Sequence, residues 1–321
     1  MHADLPAEQL RSYVSAQPDP VGFDEFWGST LAASRARAQA PVVAPVPSPL
    51  RVVDAYDVTF SGFQGEPVRA WLRVPAASAG PLPTVVQFVG YGGGRGHVTD
   101  ELLVAASGFV HLQMDTRGQG SGWSAGSTAD SAAAGPQVPG MMTRGIRRKE
   151  DYYYRRLMTD AALAVEAAAS LPQVDASRIA VLGTSQGGAL AVAAAGLVPE
   201  RVRAVCARVP FLAEFPRAIT MTDSHPYREI ADYLAVHRDE VARVHDTLSY
   251  FDIVHLGRRS RAAARFSVAF MDTVTPPSTV YAAYHAYAGP KEIAEWPFNG
   301  HEGGGPDDAV AELEFLRSAL V

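Results

Sequence analysis

The sequence predicts an α/β fold on a mostly parallel, doubly wound sheet, and three observations carry that expectation. Six short apolar runs, 84–89, 110–114, 179–182, 202–209, 266–270 and 293–296, are separated by segments of helical character, an alternation that buries parallel strands beneath helices on both faces. Ahead of them, two alternating runs, 52–60 and 68–74, flank the turn-rich residues 61–65, which predicts an antiparallel hairpin at one edge of the sheet. The stretch Arg178-Ile-Ala-Val-Leu-Gly-Thr-Ser-Gln-Gly-Gly188 reads as a buried strand, a tight turn carrying one serine, and the start of an alanine-rich helix.

In chain order, residues 22–39 read as a helix, with Phe23, Phe26, Trp27 and Leu31 forming one aromatic stripe at helical spacing. Four prolines within 41–49 make an extended connector that clamps this helix to the body. After the hairpin and the first buried strands, 150–169 is a clear helix, and 306–320 is another: Pro306 suits a first turn, and Asp307 and Asp308 suit the N-terminal dipole. Between 211 and 265 no strand is evident, and helical stretches fall at 227–236 and 241–250. Lying between two sheet strands, this insertion is expected to stand over the C-terminal edge as a helical cap. The organisation expected is one domain over 1–321, with 1–50 as an N-terminal helical extension and linker and about 211–265 as the cap.

Composition excludes several classes of function. At 321 residues the chain can bury roughly 75% of its unfolded surface. A net charge of −6 gives no support to nucleic-acid binding. The basic cluster Arg144, Arg147, Arg148, Lys149 runs straight into Glu150 and Asp151 and reads as a solvated helix start. Cys206, the single cysteine, lies in an apolar run and is expected to be inert. No histidine, cysteine or carboxylate spacing makes a metal-ligand set, so neither metal nor cofactor is expected. The opening Met-His-Ala-Asp-Leu-Pro-Ala-Glu lacks the basic and apolar regions of a signal peptide, and no apolar run reaches 18 residues; a cytoplasmic protein with no membrane partner is expected.

In Gly183-Thr-Ser-Gln-Gly187 the two glycines give room for a sharp strand-to-helix reversal, and Ser185 is the candidate nucleophile. A serine hydroxyl needs a base within reach and an acid to hold that base in one tautomer. Of the nine histidines, His225, His237, His245 and His255 lie in the insertion and read as surface residues, and His285 falls in a helix. His301 instead follows the last strand in Asn299-Gly-His-Glu-Gly-Gly-Gly305, a loop that lets an imidazole reach over the sheet edge. Asp272, at the tip of the preceding strand, is the candidate acid, with Asp252 as its rival. Glu302 is expected to brace the loop.

The order Ser, Asp, His is that of the α/β-hydrolase fold, whose oxyanion hole takes one N–H from the residue after the nucleophile and one from an early glycine-rich loop. Gln186 and Tyr91, in Phe88-Val-Gly-Tyr-Gly-Gly-Gly-Arg-Gly96, fill those positions. A phosphate-cradling role for these glycines is disfavoured, because no Gly-Lys-Ser/Thr follows.

With these residues collected, the sequence resembles carbohydrate esterase family seven, the acetyl xylan esterases and cephalosporin C deacetylases. The resemblance spans nearly the whole chain. It is carried by Phe23-Asp-Glu-Phe-Trp27, Arg117-Gly-Gln119, Glu150-Asp-Tyr-Tyr-Tyr-Arg-Arg156, the serine turn, Asp272 before Pro276-Pro277, and His301-Glu302. It implies a Ser185–His301–Asp272 triad, an oxyanion hole of the Tyr91 and Gln186 backbone N–H groups, and Tyr91 at the substrate. It further implies an intracellular enzyme that removes O-acetyl groups from small acetylated sugars, often as a hexameric ring. Two positions depart from the family pattern: Val89 stands where a histidine is usual, and Thr184 where glycine is frequent. Both leave pocket shape and substrate preference open. Arg117 is expected to satisfy loop carbonyls rather than to take part in chemistry. The competing readings are a carboxylesterase or peptidase of the same fold, and a non-catalytic relative that binds a ligand.

Overall fold

A computed structural model describes residues 4–132 and 135–321; the first three residues of the opening stretch read above lie outside the described residues. Nine strands form one sheet: β1 (Val42–Pro45), β2 (Val53–Ser61), β3 (Pro67–Pro75), β4 (Leu82–Phe88), β5 (Val110–Met114), β6 (Val174–Thr184), β7 (Ala204–Arg208), β8 (Ala263–Ala269) and β9 (Lys291–Trp296). Their order is β1-β2-β3-β5-β4-β6-β7-β8-β9. The first three strands and the β3–β5 pair are antiparallel, and all pairs from β5 to β9 are parallel. This is the α/β-hydrolase arrangement that the alternation of strand and helix predicts.

The period-2 geometry of a strand sorts its side chains onto two faces. Val86, Val181 and Val205 join one core with helices α4 (Tyr153–Ala169) and α5 (Gln186–Leu197). Their neighbours Val85, Ala180, Leu182 and Cys206 pack on the opposite face against α11 (Pro306–Leu320). Cys206 is a buried free thiol in that second core.

The aromatic stripe of α2 (Phe23–Arg35) is buried at Phe23, Trp27 and Leu31 and packs against Tyr250 and Phe251, with the Trp27 indole donating to the Tyr250 carbonyl at 3.0 Å. Burying each such side chain stabilises by about 2–3 kcal/mol, and this contact fixes the N-terminal segment to the inserted region.

Several elements differ from expectation. The proline-rich connector is not wholly free of the sheet: its residues 42–45 pair with β2 as β1, so β1, not the hairpin, is the outermost strand. Proline is compatible with an edge strand, whose outer N–H groups need no partner. A short helix, α1 (Ala7–Arg11), precedes α2, and α3 (Leu103–Ala106) lies between β4 and β5. The helix expected from 150 begins at Tyr153. The basic residues before it therefore stand in turns, where Arg144 pairs with Asp130 at 3.0 Å and Arg147 with Glu240 at 2.8 Å.

Between β7 and β8 lie α6 (Phe215–Met221), α7 (Tyr227–Val236), α8 (Val241–Ser249) and α9 (Ile253–Gly257), and α10 (Pro277–Ala286) joins β8 to β9. No helix among the described residues is long and apolar enough to cross a membrane.

Candidate active site

Parallel strands end at a common edge, and in open α/β sheets ligands bind in the crevice beyond the strands' carboxyl ends. The loops after β4, β6, β8 and β9 meet there. Ser185 directly follows β6 with φ 58° and ψ −120°, a left-handed conformation held for a non-glycine residue. Backbone bonds fix it: its N–H donates to Arg208 of β7, and its carbonyl accepts from Phe211 and Ala189. The flanking glycines are sterically required. A Cβ on Gly183 would sit 2.2 Å from the carbonyl carbon of Gly187, and one on Gly187 would sit 2.2 Å from the Phe88 carbonyl oxygen.

Gln186 opens α5, so its N–H has no intrahelical acceptor. The Tyr91 N–H likewise donates to no carbonyl among the described residues, whereas the Gly92 N–H is taken by Gln119 Oε1 at 2.7 Å. The Gln186 side chain donates to the Val89 carbonyl at 3.2 Å and accepts from Gln119 Nε2 at 2.9 Å and the Tyr154 hydroxyl at 3.0 Å. The Tyr153 hydroxyl donates to the Arg117 carbonyl at 2.5 Å. Thus the Arg-Gly-Gln and triple-tyrosine motifs form a buried scaffold that locks the loop after β4 to the serine turn. Arg117 belongs to that scaffold by a different bond than expected: its fully buried guanidinium pairs with Asp160, at 2.6 and 2.9 Å, and with Glu66, not with loop carbonyls. Burial opposes the Arg117 charge, and the two carboxylates outweigh that and hold its pKa above the ordinary value.

His301 Nδ1 lies 2.8 Å from Asp272 Oδ2. Asp272 is fully buried and its other contacts are all donors: Val274 N–H at 2.7 Å, Thr275 N–H at 3.0 Å and the Thr275 hydroxyl at 2.7 Å. An acceptor-only carboxylate fixed this way selects the Nδ1–H tautomer of His301 and leaves Nε2 with its lone pair. Glu302 braces the loop, accepting from Asn299 Nδ2 and the Gly300 N–H, both at 3.1 Å. The rival acid Asp252 is elsewhere: it caps α9 through the Val254 N–H and accepts from Glu214 and Phe215.

Ser185 and His301 line one cavity of about 410 Å³, together with Gly90, Tyr91, Trp123, Thr184, His225, Pro226 and Val274. Sequence reading missed several of these. His225 borders the cavity instead of an open surface, and His255 is buried, with Nδ1 3.0 Å from Asp19. Trp123 is 66% exposed, and its indole donates to the Tyr91 carbonyl at 2.9 Å. Gly93 makes room for that ring, since a Cβ there would approach it to 2.4 Å. A tryptophan in the glycine-rich Gly120-Ser-Gly-Trp-Ser-Ala-Gly126 beyond a buried strand is the signal that could have identified it. Glu229 of α7 accepts from the Tyr91 hydroxyl, and burial pushes its carboxyl above the usual range, against the hydrogen bonds from Tyr91 and Met142. Burial, followed by the charge of Glu229, raises the Tyr91 hydroxyl in turn.

Residues 1–319 match the family described as Acetyl xylan esterase (AXE1). The acetyl xylan esterase from Paenibacillus sp. R4 is 36% identical with a TM-score of 0.93, over 98% of this chain and 100% of that one. Acetyl xylan esterase 1 from Thermoanaerobacterium sp. JW/SL YS485 is 32% identical with a TM-score of 0.89, over 98% of this chain and 99% of that one. The acetyl esterase Axe7A of Xylanibacter ruminicola is 26% identical over 302 residues, which is 92% of this chain and 65% of Axe7A. The chain thus spans just under two thirds of that curated relative's length. With the family matched along almost every residue and two solved structures similar from end to end, the chain belongs to the acetyl xylan esterase family.

Proposed function

We propose that this chain is a serine esterase that removes O-acetyl groups from short acetylated xylo-oligosaccharides by acyl transfer. Ser185 Oγ attacks the acetyl carbonyl carbon while His301 Nε2 takes its proton; the C–O bond to the sugar breaks, and the same proton passes to the departing sugar oxygen. Water, deprotonated by His301, then attacks the acetyl-enzyme and releases acetate and free Ser185. Asp272 holds the imidazole and favours its charged form. The backbone N–H groups of Tyr91 and Gln186 take the negative charge on the carbonyl oxygen, where one lost donor typically costs about 10²- to 10³-fold in rate.

The observation that carries this reading is the 2.8 Å contact between His301 and the buried Asp272, with His301 and Ser185 bordering one cavity. The Ser185 hydroxyl bonds to none of the described residues, so the Oγ–Nε2 bond forms as substrate binds, a tightening common to such sites. The inserted helices act as a cap: His225 and Pro226, just before α7, supply one wall. Assembly into a ring of like chains and a cytoplasmic location belong to the same proposal; light scattering measures the first and cell fractionation the second.

Acetate release from acetylated xylo-oligosaccharides, cephalosporin C and a series of simple esters tests the substrate. Acetyl esters are expected to be favoured. Preference for butyrate or longer chains, or cleavage of amides, would count against it.

A further inference from the structure

A second cavity of about 460 Å³ adjoins the first and shares Gly90, Trp123 and Thr184 with it. We propose that it is a subsite for the uncharged sugar units next to the acetylated one, a proposal that rests on the esterase reading above. Polar side chains form about half of its lining, Gln87, His97, Asp100, Glu101, Gln113 and Ser124 among them, beside apolar Phe88 and Val89.

Gln113 is the most telling of these. Its Oε1 accepts from Arg73 Nη1 at 2.9 Å, and Arg73 is itself fully buried and anchored to the Val98 carbonyl at 2.9 Å. The side chain is therefore pinned, only 4% exposed, and its Nε2 donates to none of the described residues. That Nε2 opens into the cavity, where a ligand oxygen can accept from an amide already held in place. Gln87 Nε2 reaches Glu101 Oε2 at 3.2 Å, leaving further acceptor capacity on that carboxylate. Arg95 also borders the cavity, but its guanidinium is paired with Asp57 at 2.8 Å, so the two carboxylates, Asp100 and Glu101, disfavour an anionic ligand and accept from hydroxyl groups. Mixed amide donors and carboxylate acceptors match the neighbouring hydroxyls of a neutral sugar.

Trp123 connects the two compartments. Held by its bond to the Tyr91 carbonyl and packed on the glycine loop, it borders both cavities while remaining largely exposed. An oligosaccharide whose acetyl group sits beside Ser185 can continue past the indole into the polar compartment. Thr184, one of the two departures from the family pattern, stands at the same boundary.

The test compares wild type with Gln87→Ala, using unacetylated xylotriose, acetylated xylotriose and 4-nitrophenyl acetate. Unacetylated xylotriose is expected to bind wild type by calorimetry. In Gln87→Ala its affinity falls about three- to tenfold, the size of one hydrogen bond. The kcat/KM ratio of acetylated xylotriose to 4-nitrophenyl acetate falls equally, through KM. Should Gln87→Ala fail to fold, Glu101→Gln supplies the same comparison. Affinity and ratio both unchanged in a variant that folds and still deacetylates xylotriose would overturn the subsite and leave the esterase reading intact. A wild type that hydrolyses 4-nitrophenyl acetate but not acetylated xylotriose would overturn the substrate reading and the subsite together.

Discussion

The Tyr91 hydroxyl donates to Glu229 Oε1 at 2.7 Å, and the other oxygen of that buried carboxylate accepts from the Met142 N–H at 2.9 Å. One side chain of α7 thus ties the loop after β4, which carries a proposed oxyanion donor, to the inserted helices. Glu229→Gln sets an amide NH₂ group against a donor, either the Met142 N–H or the Tyr91 hydroxyl. We expect kcat for 4-nitrophenyl acetate to fall about tenfold with KM little changed, since the loss is of about one charge-assisted hydrogen bond. An unchanged kcat in a folded variant would show that the link does not position the loop.

Two buried aspartates separate chemistry from stability. Asp272→Asn is expected to lower kcat by about 10³- to 10⁴-fold, because the amide no longer selects the Nδ1–H tautomer of His301. Asp252→Ala is expected to cost about 1–3 kcal/mol of stability by leaving buried N–H groups unpaired, with kcat per folded molecule retained. Thermal melting and initial rates on both variants make the comparison.

Asp252 also gives a pH dependence. Burial raises its carboxyl from 3.8 to about 6, against the hydrogen bonds it accepts from backbone N–H groups. Because the folded value lies above the unfolded one, the stabilising contribution is full below pH 3.8 and is lost as pH rises through about 6. Asp252→Asn is expected to flatten this part of the stability profile, measured by denaturant midpoints between pH 4 and 7.

Gly187→Ala places a methyl group against the Phe88 carbonyl oxygen, which a strand cannot move cheaply. A cost of about 1–3 kcal/mol, or more, follows from overpacking. An alanine variant that melts like wild type would show that this turn is looser than its geometry implies.

The parts of the fold set by local pattern are legible in the sequence. Buried strands such as 179–182 announce themselves by apolar runs, and Ser185 by the glycines that its turn needs on steric grounds. The arrival of Asp272 and His301 at one end of the sheet follows from their places after successive parallel strands. What escaped depends on contacts between distant segments. The prolines of 41–49 hide β1, because edge pairing tolerates them. Trp123, His225 and Glu229 reach the cavity only through how loops and inserted helices fold over the edge. The partners of Arg117 were misjudged because Glu66 and Asp160 lie far from it in sequence, and no local spacing announces a buried ion pair.

The proposed mechanism depends on Ser185 as the attacking group. Initial rates on 4-nitrophenyl acetate for wild type and a folded Ser185→Ala variant, with cavity shape preserved, measure this directly. Hydrolysis is expected to fall by about 10⁶-fold, to what the oxyanion hole and binding alone supply, and an organophosphonate is expected to label wild type at Ser185 and leave the variant unlabelled. Turnover by Ser185→Ala within about a hundredfold of wild type, far above the residual that such sites keep without their nucleophile, would contradict the proposed mechanism.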